Sequence, residues 1–126
     1  MRVFLYIALG SALGGVARHW ISGMVAARVG ETFPWGTFVV NALGSLSIGV
    51  LAGFADSGRI GLSAEARQFL MVGLLGGFTT FSSFSLQTLR LMQDGDWGRA
   101  AGNVMGSVLV CLVAVVIGWR IARLFG

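Results

Sequence analysis

Nine arginines and five acidic residues are all the formal side-chain charge on this 126-residue chain, and they divide it into four uncharged runs, 3–17, 32–55, 68–89 and 100–119. A helix needs about 20 mainly apolar residues to cross the hydrocarbon core of a bilayer. The last three runs meet that length, and the first meets it once Arg18 is taken into the span. With 56% of its residues hydrophobic, a water-soluble domain of this size has too little interior to hide them. The expectation is an all-α membrane protein: one domain, 1–126, of four transmembrane helices near 2–29, 34–54, 64–92 and 97–124.

The connections fit this division. Pro34 suits the first turn of helix 2, and Phe33 and Trp35 beside it suit the aromatic belt at the membrane surface. Ser63 is placed to cap helix 3, and Asp94-Gly95-Asp96 forms the last turn, with Trp97 as an interfacial anchor. The first run follows Arg2 in the manner of a signal peptide, but it lacks a convincing small-residue cleavage site followed by a soluble mature region, and three more apolar runs follow. It is read as helix 1. The basic residues stand singly near helix ends, where they anchor to lipid headgroups, and no clustered stripe suggests nucleic acid. Cys111 is alone inside the last run and is read as a packing residue.

Arginine is distributed almost evenly between the two sides of the membrane. The side with the N-terminus, the 2–3 loop and the C-terminus carries Arg2, Arg59, Arg67, Arg120 and Arg123; the other carries Arg28, Arg90 and Arg99. Such a small bias orients a chain weakly, so copies can insert both ways up. Two inverted copies then form an antiparallel homodimer about an axis in the membrane plane. Four helices hardly enclose a pathway alone, which independently points to a dimer.

Helix 3 contains Gly76-Gly77-Phe78-Thr79-Thr80-Phe81-Ser82-Ser83-Phe84-Ser85, poor material for a continuous lipid-facing helix. Irregular backbone at membrane depth persists only where protein or a water-filled cavity satisfies it, and broken helices mark ion or substrate sites. The break is expected at mid-membrane, between Gly76 and Thr80. Carbonyls freed between Gly76 and Thr79, with no carboxylate nearby, suit a hard monovalent cation such as Na⁺, particularly if symmetry brings two sets together.

No Asp, Glu or Lys lies deep in any span, so the titrating group that proton-coupled transport runs on is missing. Arginine does not give up its proton, and Arg18 is either a snorkelling anchor or a fixed charge at a vestibule that concentrates anions. His19, beside Trp20, is read as interfacial. Asn41 either cross-links helices or donates to a permeating anion. Asn103 and Ser107 share one face of helix 4, with the same two possibilities. Phe81 and Phe84 share one face beyond the break. Their electropositive ring edges can accept a small anion without supplying a counter-charge that traps it. Hydroxyls at Thr80, Ser82, Ser83, Ser85 and Thr88 can replace lost hydration. Together these residues describe a passive anion path. Gly10 and Gly14, a GxxxG spacing in helix 1, serve close helix packing or the pore.

The run Gly76 to Phe84 resembles the GGxTTFSxF motif of the Fluc (CrcB) family of small bacterial fluoride channels. Gly14-Gly15-Val16-Ala17-Arg18 in helix 1 agrees with it, as do Pro34-Trp35-Gly36-Thr37 and Asn41-Ala42-Leu43-Gly44-Ser45 in helix 2. The resemblance covers the whole chain. It implies an antiparallel, dual-topology homodimer in the bacterial inner membrane, with two pores that pass fluoride selectively and passively out of the cytoplasm. It also implies that Phe81 and Phe84 are pore rings, Asn41 the helix 2 pore amide, Thr80, Ser82 and Ser83 the hydroxyl track, and Ser107 the helix 4 pore position. By the same resemblance, carbonyls of Gly76 and Thr79 hold a structural Na⁺. Ser83 stands where many relatives carry threonine, and the hydroxyl is kept.

Two other functions fit the length. A small dual-topology multidrug exporter needs a membrane-embedded glutamate in helix 1, and there is none. A non-conducting assembly subunit leaves the hydroxyl-rich break without a purpose. No nucleophile–base pair, metal constellation or phosphate loop supports an enzyme.

Overall fold

The computed structural model describes all residues, Met1–Gly126. The chain is all helical: α1 is Arg2–Val29, α2 is Trp35–Ser57, α3 covers residues 64–78, α4 is Phe81–Gln93 and α5 is Trp97–Phe125. Together α3 and α4 make the third of four long helical segments, Ala64–Gln93. Gly30, Gly58 and Gly95 have φ of 81°, 69° and 76°, and this left-handed backbone ends α1, α2 and the last turn after α4.

Polar caps begin the later helices. The Ser63 hydroxyl accepts from the Ala66 N–H at 3.1 Å, and the Asp96 carboxylate accepts from the Arg99 N–H at 3.2 Å. The Arg99 guanidinium also donates to Asp96 at 2.8 Å, and these two bonds hold the Asp96 carboxyl below its usual pKa. Pro34 sits at the cap position, one residue before α2 begins, where its missing N–H leaves nothing unpaired.

Three of the four segments are long and apolar enough to cross a membrane: Trp35–Ser57, Ala64–Gln93 and Trp97–Phe125. The 28-residue α1 is long enough, but any eighteen-residue stretch of it takes in Arg18 and His19. Only 18 residues are buried in the chain, and most are glycine, serine, threonine or asparagine, whereas large apolar side chains cover the outside. This is the pattern of helices that meet through small residues and face a solvent as apolar as themselves.

Two close crossings organise the bundle. Along the first, Gly10 and Gly14 of α1 lie against the backbone of Phe69 and Leu74, and Gly77 lies under Ser11, where an added Cβ would stand 2.6 Å from its carbonyl oxygen. Gly10 and Gly14 therefore serve helix packing. Along the second, Gly49 of α2 meets the Val115 carbonyl and Gly118 of α5 meets the Leu46 carbonyl. By contrast, α4 touches its neighbours far less than α1 touches α3 or α2 touches α5.

The interior of α3 departs from α-helical form. Gln68–Leu75 is a π-helix, between α-helical turns at Ala64–Arg67 and Gly76–Phe78. Wide turns of this kind occur often at functional sites. This one leads directly into the interruption between α3 and α4.

Candidate ion-permeation site

Only two residues leave helical geometry in the third segment. Thr79 (φ −82°, ψ 155°) and Thr80 (φ −149°, ψ 114°) are extended, a conformation that their β-branched side chains favour. Gly76 remains helical at φ −63°, ψ −39°. The interruption is therefore narrower than the 76–80 expected from composition. Gly77 serves the close approach to α1, and the change of backbone falls to the threonines.

Two extended residues strand several backbone groups, and one side chain replaces much of what the helix would supply. The Thr80 N–H donates to Asn41 Oδ1 at 2.8 Å, and Asn41 Nδ2 donates to the Thr80 carbonyl at 3.0 Å. Asn41 thus grips both polar groups of one peptide residue. Its other N–H has no partner in the chain. The Thr79 N–H and hydroxyl both donate to the Leu75 carbonyl, at 3.0 and 2.9 Å. The Thr79 carbonyl accepts no hydrogen bond, and the Gly76 carbonyl has lost its usual donor, the Thr80 N–H, to Asn41.

Asn41→Ala leaves the Thr80 N–H and carbonyl unpaired in a part-buried place, at about 1–3 kcal/mol for each group. The expected result is a clearly lower thermal midpoint of the detergent-solubilised protein. A midpoint equal to that of the unmodified chain would contradict the two-point grip.

α4 begins with a cluster of hydroxyls. Thr80 Oγ1 accepts from the Ser83 N–H at 3.2 Å, donates to Ser83 Oγ at 3.1 Å and lies 3.3 Å from Ser82 Oγ. In this chain of bonds Ser82 is a donor and the Ser83 proton stays uncommitted. Ser85 spends its proton on the Phe81 carbonyl at 2.9 Å. The rings of Phe81 and Phe84 stand 5.4 Å apart at 45°. Phe81 is 79% exposed, so its ring projects beyond the surface of this single chain.

An open cavity of about 450 Å³ lies beside the interruption. Asn41, Gly76, Thr79, Thr80, Phe81, Phe84 and Ser107 all border it. Ser82, Ser83 and Arg18 do not. Ser107 Oγ donates to Asn103 Oδ1 at 3.2 Å, so in this arrangement it turns lone pairs, not a proton, toward the cavity. No group of three or more His, Cys, Asp or Glu side chains is assembled anywhere, and the hard ligands at the interruption are carbonyl oxygens.

Residues 5–119 match the model of the family described as "CrcB-like protein, Camphor Resistance (CrcB)". The chain belongs to this family. Relatives named "Fluoride-specific ion channel FluC" are similar to it over nearly their whole length. The one from Opitutus terrae is 62% identical over 94% of this chain and 90% of its own. Those from Paramagnetospirillum magneticum and Methylocella silvestris are 53% and 52% identical, each over 94% of this chain and 93% and 92% of their own.

Two residues of this CrcB chain gain a definite place that spacing left open. Arg18 is half-buried, forms no hydrogen bond or ion pair, and borders neither main cavity. His19 borders a second cavity of about 550 Å³ at the other end of α4, with Glu31, Gln87, Arg90 and Asp94. Thr88, one hydroxyl among several by sequence, accepts from Asn103 Nδ2 at 2.9 Å inside the protein. Nothing in its sequence context distinguishes it from Ser85, because its partner comes from α5.

Proposed function

We propose that this CrcB chain is a passive, selective fluoride channel of the bacterial inner membrane that lets cytoplasmic fluoride leave. The carrying observation is the cavity beside Thr79 and Thr80, bordered by two ring-bearing positions, hydroxyls and an amide, with no carboxylate, histidine or basic side chain among its residues. Fluoride is small and strongly hydrated. Ring edges and neutral hydrogen-bond donors replace part of its hydration and still release it, since none carries a full charge. Without a buried carboxylate or histidine at the cavity there is no proton relay, and transport follows the fluoride gradient. The names of the relatives support the choice of ion.

The working unit on this reading is an antiparallel homodimer in membrane lipid, with two pores. The projecting Phe81 ring and exposed Gly76 support it, since the cavity is open along that side and a second copy would close it. Phe81 and Phe84 present ring edges, Asn41 offers its unused N–H, and Thr80, Ser82 and Ser83 supply the hydroxyl track. Ser107 completes the wall and Arg18 attracts anions from the membrane surface.

A structural Na⁺ fits the stranded carbonyls of Gly76 and Thr79, which are neutral, hard ligands suited to a monovalent ion. When bound, it supplies a fixed positive charge that would hold two interruptions together across the dimer. Membership of a channel family and the lack of an acidic residue in α1 stand against an enzyme and against a proton-driven drug exporter.

Liposomes loaded with potassium fluoride or potassium chloride and made permeable to K⁺ test this proposal. Fluoride efflux is expected to be complete within seconds and chloride efflux to stay at the protein-free level. Equal release of both ions would overturn the selectivity.

A further inference from the structure

We propose that Thr88 and Asn103 are positioning residues that set the angle at which α4 presents Phe81 and Phe84. The inference rests on the fluoride-channel reading for its consequence, but its geometry stands independently. Phe81, Phe84 and Thr88 follow one another at helical spacings of three and four, so they lie along one face of α4. The rings occupy the end of that face that borders the cavity. Thr88 occupies the far end, 6% exposed, and there it meets α5.

The contact is a directed chain of hydrogen bonds. Ser107 Oγ donates to Asn103 Oδ1 at 3.2 Å, Asn103 Nδ2 donates to Thr88 Oγ1 at 2.9 Å, and Thr88 Oγ1 donates to the Phe84 carbonyl at 2.7 Å. Asn103 is 1% exposed, so neither water nor lipid competes for its amide. The chain ends on the backbone of a ring-bearing residue.

Mechanics explains why this second anchor matters. α4 follows two extended residues and packs only lightly on its neighbours. Asn41 grips it at Thr80, next to the pivot, and a hold at the pivot alone lets a helix swing and roll. Thr88 lies eight residues farther along, about 12 Å at 1.5 Å per residue. An anchor there fixes both swing and roll, and so fixes the Phe84 ring midway between the two amides.

Thr88→Val keeps the branched shape and removes both hydrogen-bonding roles, whereas Thr88→Ser keeps both. Two measurements separate this inference from the function proposed above. In fluoride efflux from liposomes, Thr88→Ser should match the unmodified protein and Thr88→Val should run about five- to tenfold slower at unchanged dimer assembly, the effect on the competent orientation of losing the one of its two hydrogen bonds that joins α4 to α5. In ¹⁹F NMR of protein carrying 4-fluorophenylalanine in place of Phe84, the resonance should shift or broaden in Thr88→Val and stay fixed in Thr88→Ser. Should Thr88→Val not assemble, Asn103→Leu, close in volume and apolar, is expected to move the same resonance.

An unmoved resonance together with full efflux in Thr88→Val would overturn the positioning role. So would a resonance moved equally by Ser and Val. If the unmodified protein passes no fluoride, the channel reading fails, while the resonance comparison still decides whether Thr88 and Asn103 hold the ring.

Discussion

Isoleucine in place of Phe81 or of Phe84 is expected to reduce fluoride efflux to near the protein-free background while the assembled protein stays intact. Isoleucine preserves bulk and apolarity, so packing within the chain changes little, and Phe81 is 79% exposed in any case. What isoleucine lacks is the quadrupole that makes a ring edge electropositive. A single favourable edge contact on the order of 1.5 kcal/mol corresponds to about tenfold in rate. Losing it at one of two rings only 5.4 Å apart interrupts the paired ring edges along an otherwise uncharged wall, so tenfold is the smaller end of the expected loss. A fluoride electrode reads the efflux and size-exclusion chromatography reads assembly. Normal efflux from both variants would reduce the rings to packing residues.

Valine at Gly118 is expected to yield no monodisperse protein at all, whereas alanine at Gly102 should be indistinguishable from the unmodified chain. A Cβ at Gly118 would overlap the Leu46 carbonyl and come within 3.0 Å of the Val50 backbone nitrogen. Backbone on a facing helix cannot turn aside as a flexible side chain can. Even one extra methylene in a tight interior costs about 1–3 kcal/mol, and valine adds three carbons here. Gly49, in the same crossing, meets the Val115 carbonyl, so α2 and α5 have no second register in which to separate. Gly102 lies on α5 with nothing near its Cβ position. Size-exclusion profiles and thermal midpoints in detergent distinguish the two variants, and a well-folded Gly118→Val would show that the crossing tolerates a wider spacing.

Much of this architecture was legible because charge is so sparse. The uncharged runs locate the four helical segments, and glycines beyond Val29 and Ser57 mark two of their ends. α2 nonetheless continues three residues past the expected end at 54. Its last turn is held from outside: Trp119 Nε1 donates to the Asp56 carboxylate at 3.0 Å and Arg123 donates to the Asp56 carbonyl at 3.3 Å, with its guanidinium 5.3 Å from the Trp119 ring. An aspartate that reads as loop on its own becomes helix once α5 supplies a donor.

The same limit applies at the candidate site. Composition pointed to an interruption near Gly76–Thr80, but the glycines looked like its cause, whereas Gly77 faces α1, Gly76 borders the cavity and the threonines change direction. The π-helix at Gln68–Leu75 gave no local sign, since its residues are ordinary for an apolar membrane helix. Asn41 was visible as a buried amide, yet its two bonds to Thr80 span 39 residues and depend on how α2 lies against the interruption. Thr88 and Asn103 were separately visible and became a pair only through the packing of α4 on α5.

The central claim is passive conduction of fluoride, and current through a reconstituted planar bilayer tests it most directly. With unequal fluoride and equal pH on the two sides, the current should reverse at the fluoride equilibrium potential and keep that value when a pH gradient is then imposed. A reversal potential that moves with the pH gradient, or the absence of current without one, would show coupled transport and contradict the account.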